Sequence, residues 1–143
     1  MKKIILALSF LTLTGCASVQ SLPVINAYFM AKFDNNEYML INTVRTQANL
    51  GASKCGTPEI VPVVENIYFK TIELKNYSQS IPKNEETIKM SSELSEIVKG
   101  LNEKYHSKEP VSLNYCTTKF GIIEKNAVTI QNVVGAKPRW VTY

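Results

Sequence analysis

The sequence predicts an all-α protein, built as an up-down-up-down four-helix bundle. Apolar residues recur at spacings of three and four in four successive segments, as expected for helices that each bury one face. The connections between these segments are short, which favours antiparallel neighbours. No segment combines alternating apolar and polar residues with hairpin-turn residues, so no strand is predicted.

Size and composition are those of one ordinary folded domain. The chain has 143 residues, of which 45% are hydrophobic and 20% charged, and this balance excludes a disordered or collagen-like chain. The formal net charge is +4, and Lys2 and Lys3 supply two of the positive charges from the N-terminal segment. So small an excess predicts no nucleic-acid partner.

Residues 1–15 have the composition of an export signal. A lysine pair begins the segment, an apolar stretch from Ile4 to Leu13 follows, and two small residues close it. The apolar stretch is about half as long as the roughly 20 residues that a membrane-spanning helix needs. A removable signal is therefore predicted.

The run Leu13-Thr14-Gly15-Cys16 resembles the lipobox of bacterial lipoproteins. The resemblance implies that the Cys16 thiol receives a diacylglycerol, that cleavage makes Cys16 the first mature residue, and that membrane lipid is a partner. Two or more acyl chains hold a protein stably at a bilayer. Because Ala17 rather than aspartate follows the cysteine, the resemblance also implies an outer-membrane location facing the periplasm. The alternative is an ordinary secretory signal in which Cys16 has no such role.

Cys55 and Cys116 remain as a pair once Cys16 is assigned to lipid. Exported compartments are oxidising, so one disulfide bond between them is predicted. In the predicted bundle the end of the first helix and the start of the fourth lie at the same pole, which brings the two cysteines together. The chain has no C-x-x-C motif and one histidine, so no metal site is predicted.

Capping residues delimit the first two helices. Asp34 is predicted as the N-cap of the first, with Glu37 reaching back in a capping box. Thr57 is predicted as the N-cap of the second, with Pro58 in its first position. The predicted buried positions are Ile41, Val44, Ala48 and Cys55 in the first helix and Ile60, Val64, Ile67, Thr71, Leu74 and Ser78 in the second.

The third helix is predicted to open at Asn84-Glu85-Glu86. The fourth helix is predicted to follow Pro110 and to end just before Gly135, which is predicted to be the glycine past the helix end. The predicted buried positions are Met90, Leu94, Ile97, Leu101 and Tyr105 in the third helix and Leu113, Cys116, Phe120, Ile123, Ala127, Ile130 and Val134 in the fourth.

The predicted organisation has four parts. Residues 1–15 are the lipoprotein signal peptide, and residues 16–33 are a lipidated tether with a candidate short apolar helix. Residues 34–135 form the helical bundle, and residues 136–143 are a C-terminal tail.

No pattern in the chain is typical of an active site. His106, the one histidine, lies in a polar helix end, where positive charge suits the helix dipole. The acidic pair Glu85-Glu86 is explained by a helix start. We therefore expect neither enzyme activity nor a cofactor. The alternative left open is a haem held by His106 with one of the methionines Met30, Met39 and Met90.

Two groups of residues are candidates for binding a partner. Tyr68 and Phe69 are adjacent, and a helix with one buried stripe leaves one of two such rings exposed. Trp140 lies beside Arg139 in the tail, and both residue types are favoured as interface anchors. Core packing of the first pair, and docking of the tail on its own bundle, are the alternatives.

These features together predict a membrane-anchored, non-enzymatic envelope lipoprotein. It would bind another envelope protein, or act in exclusion by occupying a site that an incoming molecule needs. The alternative is a small-ligand sensor or carrier with a pocket inside the helical bundle.

Overall fold

The computed structural model describes residues 30–139, which form four α-helices. No strand occurs within that range, so the all-α class is confirmed. The predicted signal peptide, Cys16 and Trp140 lie outside the described residues. The helices are α1 (Asn35–Ala52), α2 (Ile60–Ser80), α3 (Glu85–His106) and α4 (Leu113–Gly135).

Neighbouring helices run antiparallel around a square. α1 and α3 each pack against α2 and α4, and diagonal helices do not meet. Gln47, late in α1, bonds to Asn66, early in α2, whereas Asp34 at the start of α1 accepts from Tyr77 near the end of α2. The up-down-up-down bundle is confirmed. Its disulfide pole holds the end of α1 and the start of α4, and its opposite pole holds the start of α1 and the end of α4.

The predicted disulfide bond joins Cys55 to Cys116, with their Cα atoms 5.8 Å apart. Cys55 lies in the turn after α1, and Cys116 lies in the first turn of α4. Both side chains are buried. The bond therefore closes the disulfide pole covalently.

The predicted buried stripes of α1, α2 and α4 are confirmed with one exception. All the named positions of α1 and α2 are buried, as are those of α4 from Cys116 to Val134. Leu113 is instead 60% exposed. It is the first residue of α4 and lies over the turn at Gly56, beyond the end of the packed core.

The predicted buried face of α3 was partly wrong. Met90, Ile97 and Tyr105 are only half-buried at the edge of the core. Small hydroxyl side chains are buried instead. Ser91 Oγ donates to Ile88 O of its own helix at 3.1 Å, whereas the buried Thr87 hydroxyl has no hydrogen-bond partner. Small residues let the helices approach closely, and a search for apolar periodicity does not find buried positions of this kind. The buried positions of α3 are Thr87, Ser91, Leu94, Ser95, Val98 and Leu101.

Two predicted helix boundaries were also wrong. Thr57 does not cap α2, which begins after Glu59; its hydroxyl donates to Lys54 O at 2.8 Å and so completes the preceding turn. Gly135 is the last residue of α4 rather than the residue past it. Among the described glycines, Gly56 in the turn after α1 has a left-handed backbone conformation, with φ 82°.

None of the four described helices combines the length and apolarity needed to cross a bilayer.

A glycine comparison tests the packing of α1 against α4. A Cβ atom on Gly51 would lie 2.3 Å from Cε1 of Phe120, a fully buried ring, so Gly51→Ala is expected to lower the free energy of unfolding by about 1–3 kcal/mol. Gly100 has open space around its missing Cβ, so Gly100→Ala is expected to raise it by about 0.5–1 kcal/mol. Urea denaturation measures both. Equal effects of the two variants would contradict this packing.

A second test concerns the disulfide bond. It closes a loop with a sequence separation of 61 residues, so the Cys55→Ala/Cys116→Ala variant is expected to lose about 4 kcal/mol in the chain-entropy model. Thermal unfolding followed by circular dichroism measures the loss. An unchanged melting temperature would show that the bond contributes nothing to stability.

Candidate functional site

Asp34 and Glu37 begin α1, but only half of the predicted capping box forms. Asp34 caps the helix as predicted, since its carboxylate accepts from the Glu37 backbone N–H at 2.8 Å. The Glu37 side chain does not reach back to Asp34. It is fully buried and points into the opposite pole, where a buried charge needs charged or polar partners.

Those partners are Lys137 and Asn84. Lys137 Nζ lies 2.7 Å from Glu37 Oε2 and 2.5 Å from Asn84 Oδ1. Asn84 Nδ2 donates to Glu37 Oε1 at 2.7 Å and to the Ser78 backbone oxygen at 3.0 Å. The Lys137 side chain is 4% exposed and that of Glu37 is fully buried. We call these three side chains the Glu37 cluster.

The Glu37 cluster is suited to holding the pole together rather than to catalysis. Both carboxylate oxygens, the ammonium and both ends of the amide are engaged within it, and a general base must instead be within reach of a substrate proton. The cluster joins the start of α1, the start of α3 and the segment after α4. Sequence reasoning missed it because its members are 47 to 100 residues apart, and because Glu37 and Asn84 each had a local explanation at a helix start.

Two backbone hydrogen bonds add a strap across the same pole. Ala31 N donates to Lys83 O at 3.0 Å, and Phe33 N donates to Pro138 O at 3.0 Å. The Arg139 guanidinium lies 4.2 Å from the centroid of the Phe33 ring. Residues 31–33, which we call the strap, therefore lie against the segment that follows α4.

The structure places three of the four candidate partner-binding residues, and it separates Arg139 from Tyr68 and Phe69. Phe69 is 67% exposed on α2, and Tyr68 beside it is half-buried against the core, with the two ring centroids 6.2 Å apart. Arg139 lies at the opposite pole, and Trp140 is outside the described residues. Arg139 therefore does not share a surface with Tyr68 and Phe69.

His106 lies beside Phe69 in a groove of about 320 Å³ between α2 and α3. Its Nε2 is 3.0 Å from Glu65 Oε1, and its Nδ1 is 2.8 Å from the Asn102 backbone oxygen. The Asn102 carbonyl, and then the Glu65 carboxylate, raise the pKa of His106 above its usual 6.5 because both favour the protonated imidazole.

The haem alternative does not fit this geometry. Met90 lies near the start of α3 and His106 ends it, so the two are about 24 Å apart at 1.5 Å of helical rise per residue. Met30 and Met39 also lie toward the opposite pole. No methionine among residues 30–139 can share an iron with His106.

A second groove, of about 410 Å³, lies between α1 and α2 at the disulfide pole. Leu50, Pro62 and Val63 give it apolar walls, and Leu50 is 61% exposed. A hydrogen bond of 2.9 Å from Gln47 Nε2 to Asn66 Oδ1 closes one side. We call this the Leu50 groove. Sequence reasoning missed it because Leu50 falls outside the buried stripe of α1.

Within residues 30–139, no group of three or more histidine, cysteine, aspartate or glutamate side chains is placed to hold a metal ion. Comparison with protein-family models, curated proteins and solved structures gave no match to this chain.

The energetic role of the Glu37 cluster can be measured directly. Lys137→Met removes the ammonium and leaves a buried carboxylate without its counter-charge, so a loss of about 3–5 kcal/mol in unfolding free energy is expected. Lys70→Met, which breaks an exposed pair with Glu73, should change it by less than about 1 kcal/mol. Adding Glu37→Gln to Lys137→Met should recover part of the loss. Strictly additive losses in this double-mutant cycle would contradict the ion pair.

The raised pKa of His106 is accessible to NMR, because the chain has one histidine. Titration of its ring protons is expected to give a pKa above 6.5, and Glu65→Gln should lower it part of the way, since the Asn102 carbonyl remains. The protonated ring then stabilises the fold below pH 6.5, and this contribution is lost as the pH rises through the folded-state pKa. An unchanged pKa in Glu65→Gln would contradict the His106–Glu65 contact.

Proposed function

We propose that this chain is a membrane-anchored envelope lipoprotein that binds another envelope protein through the Leu50 groove, without enzymatic activity. The anchor is acylated Cys16 in the outer membrane, on the periplasmic face. Binding would work in exclusion by occupying a surface that an incoming molecule needs.

The position of the groove relative to the tether is the observation that carries this proposal. The strap fixes residues 31–33 at the opposite pole, so the tether from Cys16 joins the bundle there. The Leu50 groove lies at the other end of helices that are about 30 Å long at 1.5 Å per residue. The groove therefore lies about one helix length from the point at which the tether joins the bundle.

The chemistry of the groove indicates the kind of partner. Its walls are almost entirely apolar, while Lys54 and Glu59, an exposed ion pair, lie at the same pole. An apolar core with a polar rim is the usual composition of a protein-binding surface. We therefore expect one or two apolar side chains of a partner helix or loop to fill the groove.

The absence of enzymatic activity remains a proposal, supported by where the ionisable groups lie. The buried groups Glu37 and Lys137 bond to each other in the Glu37 cluster. The His106–Glu65 pair lies on the surface, where both side chains are about half exposed. Neither arrangement places a free base beside a nucleophile in an enclosed cleft.

A small-ligand carrier is the second candidate, because a volume of about 410 Å³ falls within the range of ligand pockets. The groove lies on the surface, whereas the carrier hypothesis placed its pocket inside the bundle. The interior is filled by fully buried side chains such as Phe120, Ile67 and Leu101. Native mass spectrometry of the purified chain distinguishes the two, since a carrier would retain a ligand of defined mass.

Site-specific photo-cross-linking in cells tests the proposed partner surface. A photoreactive residue at Leu50 is expected to give a discrete protein adduct, identified by mass spectrometry. Met39 is the matched control, because it lies on the same helix and is 53% exposed but is nearer the opposite pole. Leu50→Lys should abolish adducts formed from a probe at Pro62, which lines the same groove. Equal adducts from Leu50 and Met39 would contradict the proposal.

A further inference from the structure

Phe69 is a large exposed ring that the proposed partner surface does not use. It is 67% exposed on the outward side of α2, away from the buried positions Ile67 and Thr71. A single exposed apolar residue is ordinary, but Phe69 follows within one helical turn of Asn66, which lines the Leu50 groove. The ring and the groove therefore belong to one surface.

The ring and the groove lie on opposite sides of the outward ridge of α2. The groove is lined by Leu50 of α1 together with Val63, so it lies on the α1 side. Phe69 lines the other groove of α2 with His106 of α3, so it lies on the α3 side. Along the helix, Val63 comes three residues before Asn66, and Phe69 comes three residues after it.

A twofold axis through Asn66, perpendicular to α2, exchanges these two positions. It sets α2 antiparallel to the α2 helix of a second copy, and it brings the α3 side of one copy onto the α1 side of the other. The Phe69 ring of each copy then meets the Leu50 groove of the other copy. A twofold interface uses the same patch on both copies, so it requires this kind of self-complementarity.

The chemistry of the groove also suits a phenyl ring. The groove has a volume of about 410 Å³ and almost entirely apolar walls. A phenylalanine side chain buries roughly 150–250 Å² of surface when it is enclosed. The charges nearby are already paired, Lys54 with Glu59 and Lys70 with Glu73, so association brings no uncompensated charge together.

We propose that this surface binds a second copy of the chain. The product is a twofold-symmetric dimer in which the Phe69 ring of each copy fills the Leu50 groove of the other. The dimer occupies the groove that the proposed function assigns to an envelope partner, so self-association regulates access to that groove. Only this competition rests on the proposed function, because the dimer itself needs nothing beyond the described surface.

The twofold arrangement is compatible with the proposed anchor. It places the opposite poles of the two copies at the far ends of the dimer, about 40 Å apart, at 1.5 Å of rise per residue between Asn66 and Ser80 in each copy. Residues 16–30 have a contour length of up to about 50 Å. Both proposed acyl anchors can therefore reach one bilayer.

Native mass spectrometry of the full chain, purified in mild detergent, measures the dimer. A species with twice the mass of the monomer is expected, and its share should rise with protein concentration. Phe69→Glu and Leu50→Lys should each weaken association by about 30-fold or more, as for the loss of a central anchor. Met39→Lys is the matched control, because Met39 is 53% exposed on α1 but lies nearer the opposite pole, and it should leave the dimer unchanged. Circular dichroism checks that all three variants are folded.

Mixing the two interface variants tests the reciprocal contact. The Phe69→Glu chain lacks the ring and the Leu50→Lys chain lacks the apolar groove, so each alone is expected to be monomeric. In the mixture, the intact ring of one chain meets the intact groove of the other, and the introduced lysine meets the introduced glutamate. A heterodimer should therefore form, identified by the mass of a tag on one of the two chains.

Three results would overturn the proposal. A chain that stays monomeric at every concentration has no such interface. A dimer that persists in both Phe69→Glu and Leu50→Lys uses another surface. Two monomeric variants that form no heterodimer when mixed would show that the ring and the groove do not meet.

Cross-linking in cells from a photoreactive residue at Pro62 separates this proposal from the proposed function. Adducts that contain only a second copy support the dimer and contradict the envelope partner. Adducts with a different protein, from a chain that native mass spectrometry shows to be monomeric, contradict the dimer and support the proposed function. Where both adducts form, Phe69→Glu removes the dimer but keeps the groove, so it should increase the adduct with the envelope protein. An unchanged yield of that adduct would contradict the competition.

Discussion

The buried ion pair between Glu37 and Lys137 is the interaction on which the rest of the structure depends. Neither charge is stable alone in an apolar interior, because desolvation of a single ion costs several kcal/mol. The start of α1 and the segment after α4 must therefore be in place together, and Asn84 extends the requirement to the start of α3. At the disulfide pole a covalent bond between Cys55 and Cys116 links the corresponding ends of α1 and α4. The α1–α4 pair is thus fixed at both ends.

This arrangement separates the pole at which the two ends of the described chain meet from the pole that carries the proposed partner surface. At the opposite pole, the ion pair, the strap and the Arg139–Phe33 contact bring the two ends of the described chain together. At the disulfide pole the cross-link is buried, and Leu50, Pro62 and Val63 form an apolar surface beside it, with Val63 partly buried against the core. The proposed function would use this separation, since it keeps the proposed partner surface apart from the pole at which the proposed tether joins the bundle.

The apolar repeats of the sequence predicted most of the fold. Residues such as Ile41, Val64 and Phe120 are buried because helical periodicity and burial have the same physical cause, and the shared pole of the cysteines follows from the topology. The prediction failed at some polar residues that are buried and at an apolar residue that is exposed. Thr87, Ser91 and Ser95 are buried because small side chains permit close packing, and Glu37 and Lys137 because each neutralises the other across 100 residues. Leu50 was overlooked for the converse reason, since an exposed apolar residue gives no periodic signal.

Amide hydrogen exchange at Ala31 and Phe33 tests the central claim that the Glu37 cluster holds both chain ends at one pole. Both N–H groups lie outside any helix. Ala31 N–H donates to Lys83 O and is protected only while the strap stays on the turn before α3, and Phe33 N–H donates to Pro138 O and is protected only while the strap stays on the segment after α4. Measured by NMR on the full chain, both amides are predicted to exchange much more slowly than in an unfolded peptide. Exchange at the unfolded-peptide rate, while core amides such as those of Ile67 and Ile123 remain protected, would contradict the account.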